Sequence, residues 1–217
     1  MSPSLTVSRI AAQQGSVLRE LRTASLREAP YAFGETLEAT LLVDPSSFDE
    51  TAALHAASPR LATFLLYTEG HPCGLVHAYI EETPNARAFV NALWVAPAVR
   101  HLRGGELLVN VASRWLARQG VAEVHAWISG ENRTAVRFYE RLGFGPTGDR
   151  RAMPSHEEEA ESLFVRHMHP EEDELRACAS SPSSLPACSS YAFAAHTSRL
   201  PLAEIGPKKY GRVRQRL

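Results

Sequence analysis

Apolar residues recur through the first 168 positions with two periods, one close to two residues and one close to 3.6. Leu5 to Ile10 alternates as a strand does, and Val17, Leu18, Leu21 and Leu26 then follow at helical spacing up to Ala29-Pro30. Residues 31–47 read as a connection with one short helix. Thr63-Phe-Leu-Leu-Tyr67 is a strand, Glu69-Gly70 a turn, and Gly74 to Ile80 a second strand. Arg87 to Val95 is another strand, stopped by Ala96-Pro97. A helix is expected from about Gly104 to Arg118, because Leu107, Leu108, Val111, Ala112, Trp115 and Leu116 share one face and Gly120 follows as a terminator. Val121 to Ile128 reads as a strand and Asn132 to Leu142 as a helix closed by Gly143. Two more strands fall around Phe144–Arg150 and Ser162–Met168. Strand, helical region, three strands, helix, strand, helix and two strands make a mixed α/β (α+β) sheet with helices on its faces.

The pattern changes at His169. Beyond it come the acidic run Pro170-Glu-Glu-Asp-Glu, the segment Cys178-Ala-Ser-Ser-Pro-Ser-Ser-Leu-Pro-Ala-Cys188, and a basic end with Lys208, Lys209, Arg212, Arg214 and Arg216. So much serine and proline buries too little apolar surface to offset ordering entropy. The expected division is one domain over 1–168 and a disordered Ser/Pro/Ala-rich tail over 169–217.

Composition narrows the class. Hydrophobic residues are 44% and charged residues 22% of 217, as in an ordinary globular protein, and the net charge of -1 exerts no overall pull on nucleic acid or an anionic membrane. No apolar run approaches the roughly 20 residues of a membrane span, and Met1–Thr6 lacks the basic start and apolar block of a secretory signal. Cys73, Cys178 and Cys188 are too few and irregular for a disulfide framework or a zinc site. His167 and His169 form a His-x-His without a cysteine or acidic partner at ligand spacing, so no metal is expected. The expectation is a cytoplasmic protein that binds neither nucleic acid nor membrane.

Two segments carry candidate chemistry. In Leu93-Trp-Val-Ala-Pro-Ala-Val-Arg100-His-Leu-Arg103-Gly104-Gly105-Glu-Leu-Leu108 a strand runs through a short turn into an amphipathic helix. Such a turn leaves backbone N–H groups at the helix start, where the dipole favours negative charge, and glycine lets a phosphate come close. A plain connection would look the same. In Asn132-Arg-Thr-Ala135-Val-Arg-Phe138-Tyr139-Glu-Arg-Leu142-Gly143-Phe144, residues 135, 138, 139 and 142 follow core spacing. The Tyr139 hydroxyl nevertheless needs a partner, and Asn132 stands where a helix N-cap would.

Together these segments resemble, in order and separation, the two signatures of the GNAT superfamily of N-acetyltransferases of bacterial type. The later signature, Asn-x-x-Ala-x-x-Phe/Leu-Tyr-x-x-x-Gly-Phe, matches throughout. The coenzyme signature, Gln/Arg-x-x-Gly-x-Gly/Ala, matches at Arg100 and Gly105, with Arg103 in place of the middle glycine and His101 in place of the usual glycine after the arginine. Arg103 would either crowd the turn or add a cation for the phosphates. The resemblance covers about residues 4–168, including Ala29-Pro-Tyr-Ala-Phe-Gly34.

The resemblance implies a mostly antiparallel six- to seven-stranded sheet, flanked by helices and splayed between its fourth and fifth strands. Acetyl-coenzyme A would be the co-substrate and no metal would be needed. Leu93, Trp94 and Val95 would lend backbone hydrogen bonds to its pantetheine arm. Arg100, His101, Leu102, Arg103, Gly104 and Gly105 would surround the diphosphate, and Asn132 would hold the pantetheine amide. The acceptor is an amine of a small molecule or protein that attacks the thioester directly. The Val95 N–H would stabilise the oxyanion and Tyr139 would protonate the departing thiolate.

The base is open. Residues 87–95 contain no carboxylate, so Glu35, His77, Glu81 or a water relay would serve. The acceptor would lie against Tyr31–Glu38 and the loop around 81–85, where Glu35, Glu38, Glu81 and Glu82 hint at a cation. A monomer or homodimer is expected. The alternative is a GNAT-like acyl-coenzyme A-binding or interaction module with weak or no catalysis.

Overall fold

A computed structural model describes residues 4–168 apart from 34, 84, 131, 154 and 155, and no side chain of 153 or 156–159. The expected tail over 169–217 therefore lies outside the described residues, with His169, Cys178 and Cys188. The described strands are β1 (Leu5–Arg9), β2 (Leu61–Thr68), β3 (His71–Ile80), β4 (Ala88–Val95), β5 (Glu123–Ser129), β6 (Gly145–Met153) and β7 (His156–His167). The helices are α1 (Gly15–Glu28), α2 (Leu37–Leu41), α3 (Pro45–Ala57), α4 (Gly104–Arg118) and α5 (Arg133–Arg141). The strands form one seven-stranded sheet in the order β1-β2-β3-β4-β5-β7-β6, antiparallel except where β4 meets β5.

The fold follows the expected order, with one helix added. α3 has only Ala52 buried along its length, so no apolar stripe announces it. Its start is set instead by Asp44, whose side chain accepts the Ser46 N–H at 2.8 Å, and by Pro45 at the first helical position.

Strand alternation sorts the core onto two faces. Phe64, Leu66, Val76, Val90, Ala126 and Ile128 meet Leu108, Val109, Ala112 and Leu116 of α4 on one face. Leu65, Leu75 and Trp94 meet Leu18, Leu21 and Leu26 of α1 and Ala52 of α3 on the other. Each fully buried leucine contributes about 1.5–3 kcal/mol of transfer free energy, which fixes both helices against the sheet.

β4 and β5 pair only at their beginnings, Ala88 with Val124 and Phe89 with His125. There the buried His125 places Nδ1 3.2 Å from the Ala88 carbonyl oxygen. Beyond that point the strands part. In β4, Asn91 lies opposite His77 and Trp94 opposite Leu75, so Ala92 and Leu93 together face Val76 as a β-bulge. Ala92 has a left-handed φ of 51°, an uncommon conformation for a residue with a Cβ. A bulge bends its strand, and this one turns β4 away from β5.

Candidate active site

The open edge of β4 presents backbone. The Ala96 N–H donates to the Cys73 carbonyl at 2.8 Å, so the neighbouring Gly74–Val95 pair is the non-bonded type. Alternation then directs the Val95 N–H and C=O away from β3 and into the gap, and the Trp94 N–H and C=O toward β3. Arg100 uses that exposed carbonyl: its Nε donates to Val95 O at 2.9 Å and its NH2 to Glu28 Oε2 at 2.6 Å. Glu28 Oε2 also accepts the Trp94 indole N–H at 3.1 Å. The hydrogen bond from Arg100 is the main reason the Glu28 carboxyl is held below the usual glutamate range. The guanidinium expected at a diphosphate instead ties β4 to the end of α1.

After β4, residues Pro97–Leu102 form a 3-10 turn that engages the His101 and Leu102 N–H groups. Arg103 links turn and helix with φ 61° and ψ 25°. The Leu107 N–H already donates to the Arg103 carbonyl, leaving Gly104, Gly105 and Glu106 with the unpaired N–H groups of the first turn of α4. A Cβ at Gly104 would come within 2.4 Å of Leu66 Cδ2, so this glycine serves packing. A Cβ at Gly105 would make ordinary contact with Phe138, 3.4 Å away. The exposed Arg103 side chain folds onto Glu106 with two hydrogen bonds of 2.8 Å and does not crowd the turn.

The wall opposite β4 is α5. Asn132 caps it, its Oδ1 accepting the Ala135 N–H at 2.9 Å, which leaves the amide nitrogen as a donor. The far end is a Schellman motif: the Phe144 N–H donates to Tyr139 O at 3.1 Å and the Gly143 N–H to Glu140 O at 3.0 Å, with Gly143 at φ 84°. This motif presses Phe144 edge-on against Tyr139 at 5.1 Å, while Phe138 flanks it at 5.3 Å. Tyr139 is thus only 7% exposed, and its burial pushes the phenol well above its ordinary range. Its hydroxyl has no hydrogen-bond partner among the described residues.

A cleft of about 1190 Å³ runs through the gap between β4 and β5. Leu93, Trp94, Val95 and Arg100 line it from one side, Asn132 and Tyr139 from the other, and Arg103 and Gly105 at the end. His101, Leu102 and Gly104 do not border it. Of the candidate bases only Glu35 does, and its carboxylate is held by Arg22 at 2.7 Å. His77 is half-buried with its Nδ1 2.7 Å from Thr63 Oγ1, and Glu81 pairs with Arg87 at 3.6 Å. Glu38 and Glu82 also lie away from the cleft.

Among the lining residues that the sequence does not single out are Glu28, Trp127, Arg151 and Glu161. Strand parity could have found Trp127 and Glu161, since both share the Phe89 face of the sheet. Glu28 and Arg151 carry no local signal. Among the described residues no group of three His, Cys, Asp or Glu is placed to hold a metal ion, and His167 Nδ1 lies 3.2 Å from Glu123. No described helix is long and apolar enough to cross a membrane.

A family model described as the acetyltransferase (GNAT) family matches residues 21–144, more than half of the chain. The chain belongs to the GNAT acetyltransferase family. It is 31% identical over 85 residues to an uncharacterized N-acetyltransferase of Methanocaldococcus jannaschii, a match spanning 37% of this chain and 38% of that relative. In fold it resembles a GNAT-family acetyltransferase of Streptococcus pneumoniae, with a TM-score of 0.65 at 17% identity, covering 76% of this chain and 100% of the other. It also resembles yncA of Salmonella typhimurium, a putative acetyltransferase solved with its cofactor acetyl-CoA, with a TM-score of 0.62 at 12% identity over 85% and 99% of the two chains.

Proposed function

We propose that this chain is an acetyl-coenzyme A-dependent N-acetyltransferase acting on an amine by direct attack. One observation carries the reading: the Val95 N–H faces the gap between β4 and β5, with Tyr139 on the opposite wall. The acetyl-CoA held by a protein of similar fold supports it further.

The residues present fit such a coenzyme. The three unpaired N–H groups of Gly104, Gly105 and Glu106 suit a diphosphate. Leu93 and Val95 offer a strand edge to an extended amide-bearing arm, and the Asn132 amide nitrogen is a free donor beside it. Arg103, turned outward onto Glu106, is close enough to this turn to exchange that partner for a phosphate. His101 and Leu102 position the turn and contribute no N–H of their own. When bound, acetyl-coenzyme A supplies a thioester carbonyl open to an amine.

The Val95 N–H donates to the oxygen that gains charge during attack, and Arg100, bonded to the Val95 carbonyl, braces the next peptide along the strand. Tyr139, a phenol that is protonated at neutral pH and raised further by burial, is placed to hand a proton to the leaving sulfur. His77 and Glu81 lie away from the cleft, which leaves Glu35 or solvent to take the proton of the attacking ammonium.

Acetyl-coenzyme A at 100 times its dissociation constant should add about 2.7 kcal/mol of stability, read as a rise in Tm. Free thiol should then appear when a suitable amine is added. No rise at millimolar coenzyme would end this reading. A rise without thiol release for any amine would instead identify an acyl-coenzyme A-binding module.

A further inference from the structure

On the sheet face opposite α4, the cleft contains a guanidinium that touches both a carboxylate and an indole. Glu161 of β7 lies across from Ser129, the last residue of β5, and across from Arg151 of β6. Arg151 Nε donates to Glu161 Oε2 at 2.7 Å, and its guanidinium lies 4.3 Å from the centre of the Trp127 ring. Tyr79, stacked on Phe89 at 5.1 Å, lines the same wall.

An arginine and a glutamate opposite each other on a hairpin are commonly a surface ion pair of little consequence. Two features set this pair apart. The Glu161 side chain is 11% exposed whereas that of Arg151 is 47% exposed, so the more buried partner is the acid and the more accessible one is the cation. Both border the cleft, Glu161 on the strand next to β5 and Arg151 on the strand after that.

We propose that Glu161 and Trp127 form a subsite for a second, non-reacting cation on the acceptor, and that Arg151 caps this subsite until the acceptor displaces it. The inference rests on the proposed acetyl transfer. A carboxylate beside an indole face binds organic cations through charge-assisted hydrogen bonding and cation–π attraction. The guanidinium of Arg151 occupies both positions at once and so marks the size and charge of the group that would replace it. The cation held there cannot be the attacking amine, which must be neutral to act as a nucleophile. The acceptor therefore carries two basic groups, one acetylated in the gap and one retained as an ammonium or guanidinium against Glu161. The other cleft acids on this face, Glu28 and Glu35, are already held by Arg100 and Arg22. Both of those partners lie among side chains of α1 and the segments beside it, whereas Arg151 stands on a hairpin strand.

The test compares an α,ω-diamine with the monoamine of equal carbon number, using thiol release by the full chain. The diamine should be preferred by about tenfold or more in kcat/KM, the scale of one charge-assisted bond. Glu161→Gln should abolish that preference while the coenzyme-induced rise in Tm stays unchanged. Arg151→Gln should keep or lower the KM for the diamine. Without coenzyme, the diamine should raise Tm in the wild type and not in Glu161→Gln. If Glu161→Gln fails to fold, Trp127→Leu should weaken the same preference. A diamine preference that survives Glu161→Gln overturns the subsite. So does a best substrate that is an α-amino acid and loses its activity in Arg151→Gln, which would make Arg151 an anion-binding residue. Loss of the coenzyme effect in the wild type would refute acetyl transfer itself, whereas an intact effect without diamine preference refutes only the subsite.

Discussion

The Arg100 guanidinium joins Val95 to Glu28, donating to the Val95 carbonyl at 2.9 Å and to the Glu28 carboxylate at 2.6 Å. It thus braces the peptide beside the proposed oxyanion donor. Arg100→Gln should cost about 1 kcal/mol or less of stability, because the pair is partly exposed and screened. It should nevertheless lower kcat by about tenfold through loss of alignment. Steady-state rates beside a urea titration separate the two effects; an unchanged kcat would remove the brace from the mechanism.

Tyr139 keeps its proton through burial and is held by Phe138 and Phe144. Tyr139→Phe should therefore lower kcat by about 10²-fold, a modest general-acid contribution, and leave coenzyme affinity unaltered. The alkaline side of the wild-type rate profile should show no fall assignable to an ordinary phenol near pH 10. Retained turnover in the phenylalanine variant would contradict the assignment.

The two glycines before α4 should respond differently to alanine. Gly104→Ala drives a Cβ to 2.4 Å from Leu66 Cδ2 in a fully buried side chain, so overpacking of about 1–3 kcal/mol is expected. Gly105→Ala meets Phe138 at ordinary contact distance and should be nearly neutral. Thermal unfolding of both variants checks the contrast, and equal losses would place the tight packing elsewhere.

His55 and His77 are bridged by Thr63, whose Oγ1 is 2.7 Å from the Nδ1 of each. Burial lowers both, to about 4 at His55 with help from Arg9 and to about 3 at His77 with help from His55 and Arg22. An unfolded histidine binds its proton near pH 6.5. The unfolded chain therefore takes up more protons than the folded one between about pH 6.5 and 4. The stabilisation is complete above that window and falls as pH drops through it. His77→Gln should show a shallower loss of stability from pH 6.5 to 4.5 in denaturant titrations. Parallel profiles for variant and wild type would show that His77 does not titrate with folding.

Much of this site could be read locally, because its signals are backbone rules. Asn132 and Gly143 mark the ends of α5 since one offers an acceptor to free N–H groups and the other accepts a left-handed φ. α3 escaped notice because it buries one small residue and leaves Leu54 exposed. The cap at Asp44 and Pro45 was its only local mark.

The roles of charged side chains were not legible, since a guanidinium chooses among partners brought by distant strands and helices. Arg100 meets Glu28 from 72 positions away, and Trp94 meets the same carboxylate from 66. Glu161 lies just before the strand expected from Ser162, and strand pairing sets it against Arg151 in the cleft. The sequence by itself determined the order of the strands, the two helices that flank the gap and the family, because hydrophobic period, caps and turn glycines act over a few residues. Tertiary structure alone decided which way the Val95 peptide faces, which N–H groups remain free and which carboxylate lies in the cleft. These depend on strand register and on a bulge at Ala92, set by packing between segments far apart in the chain.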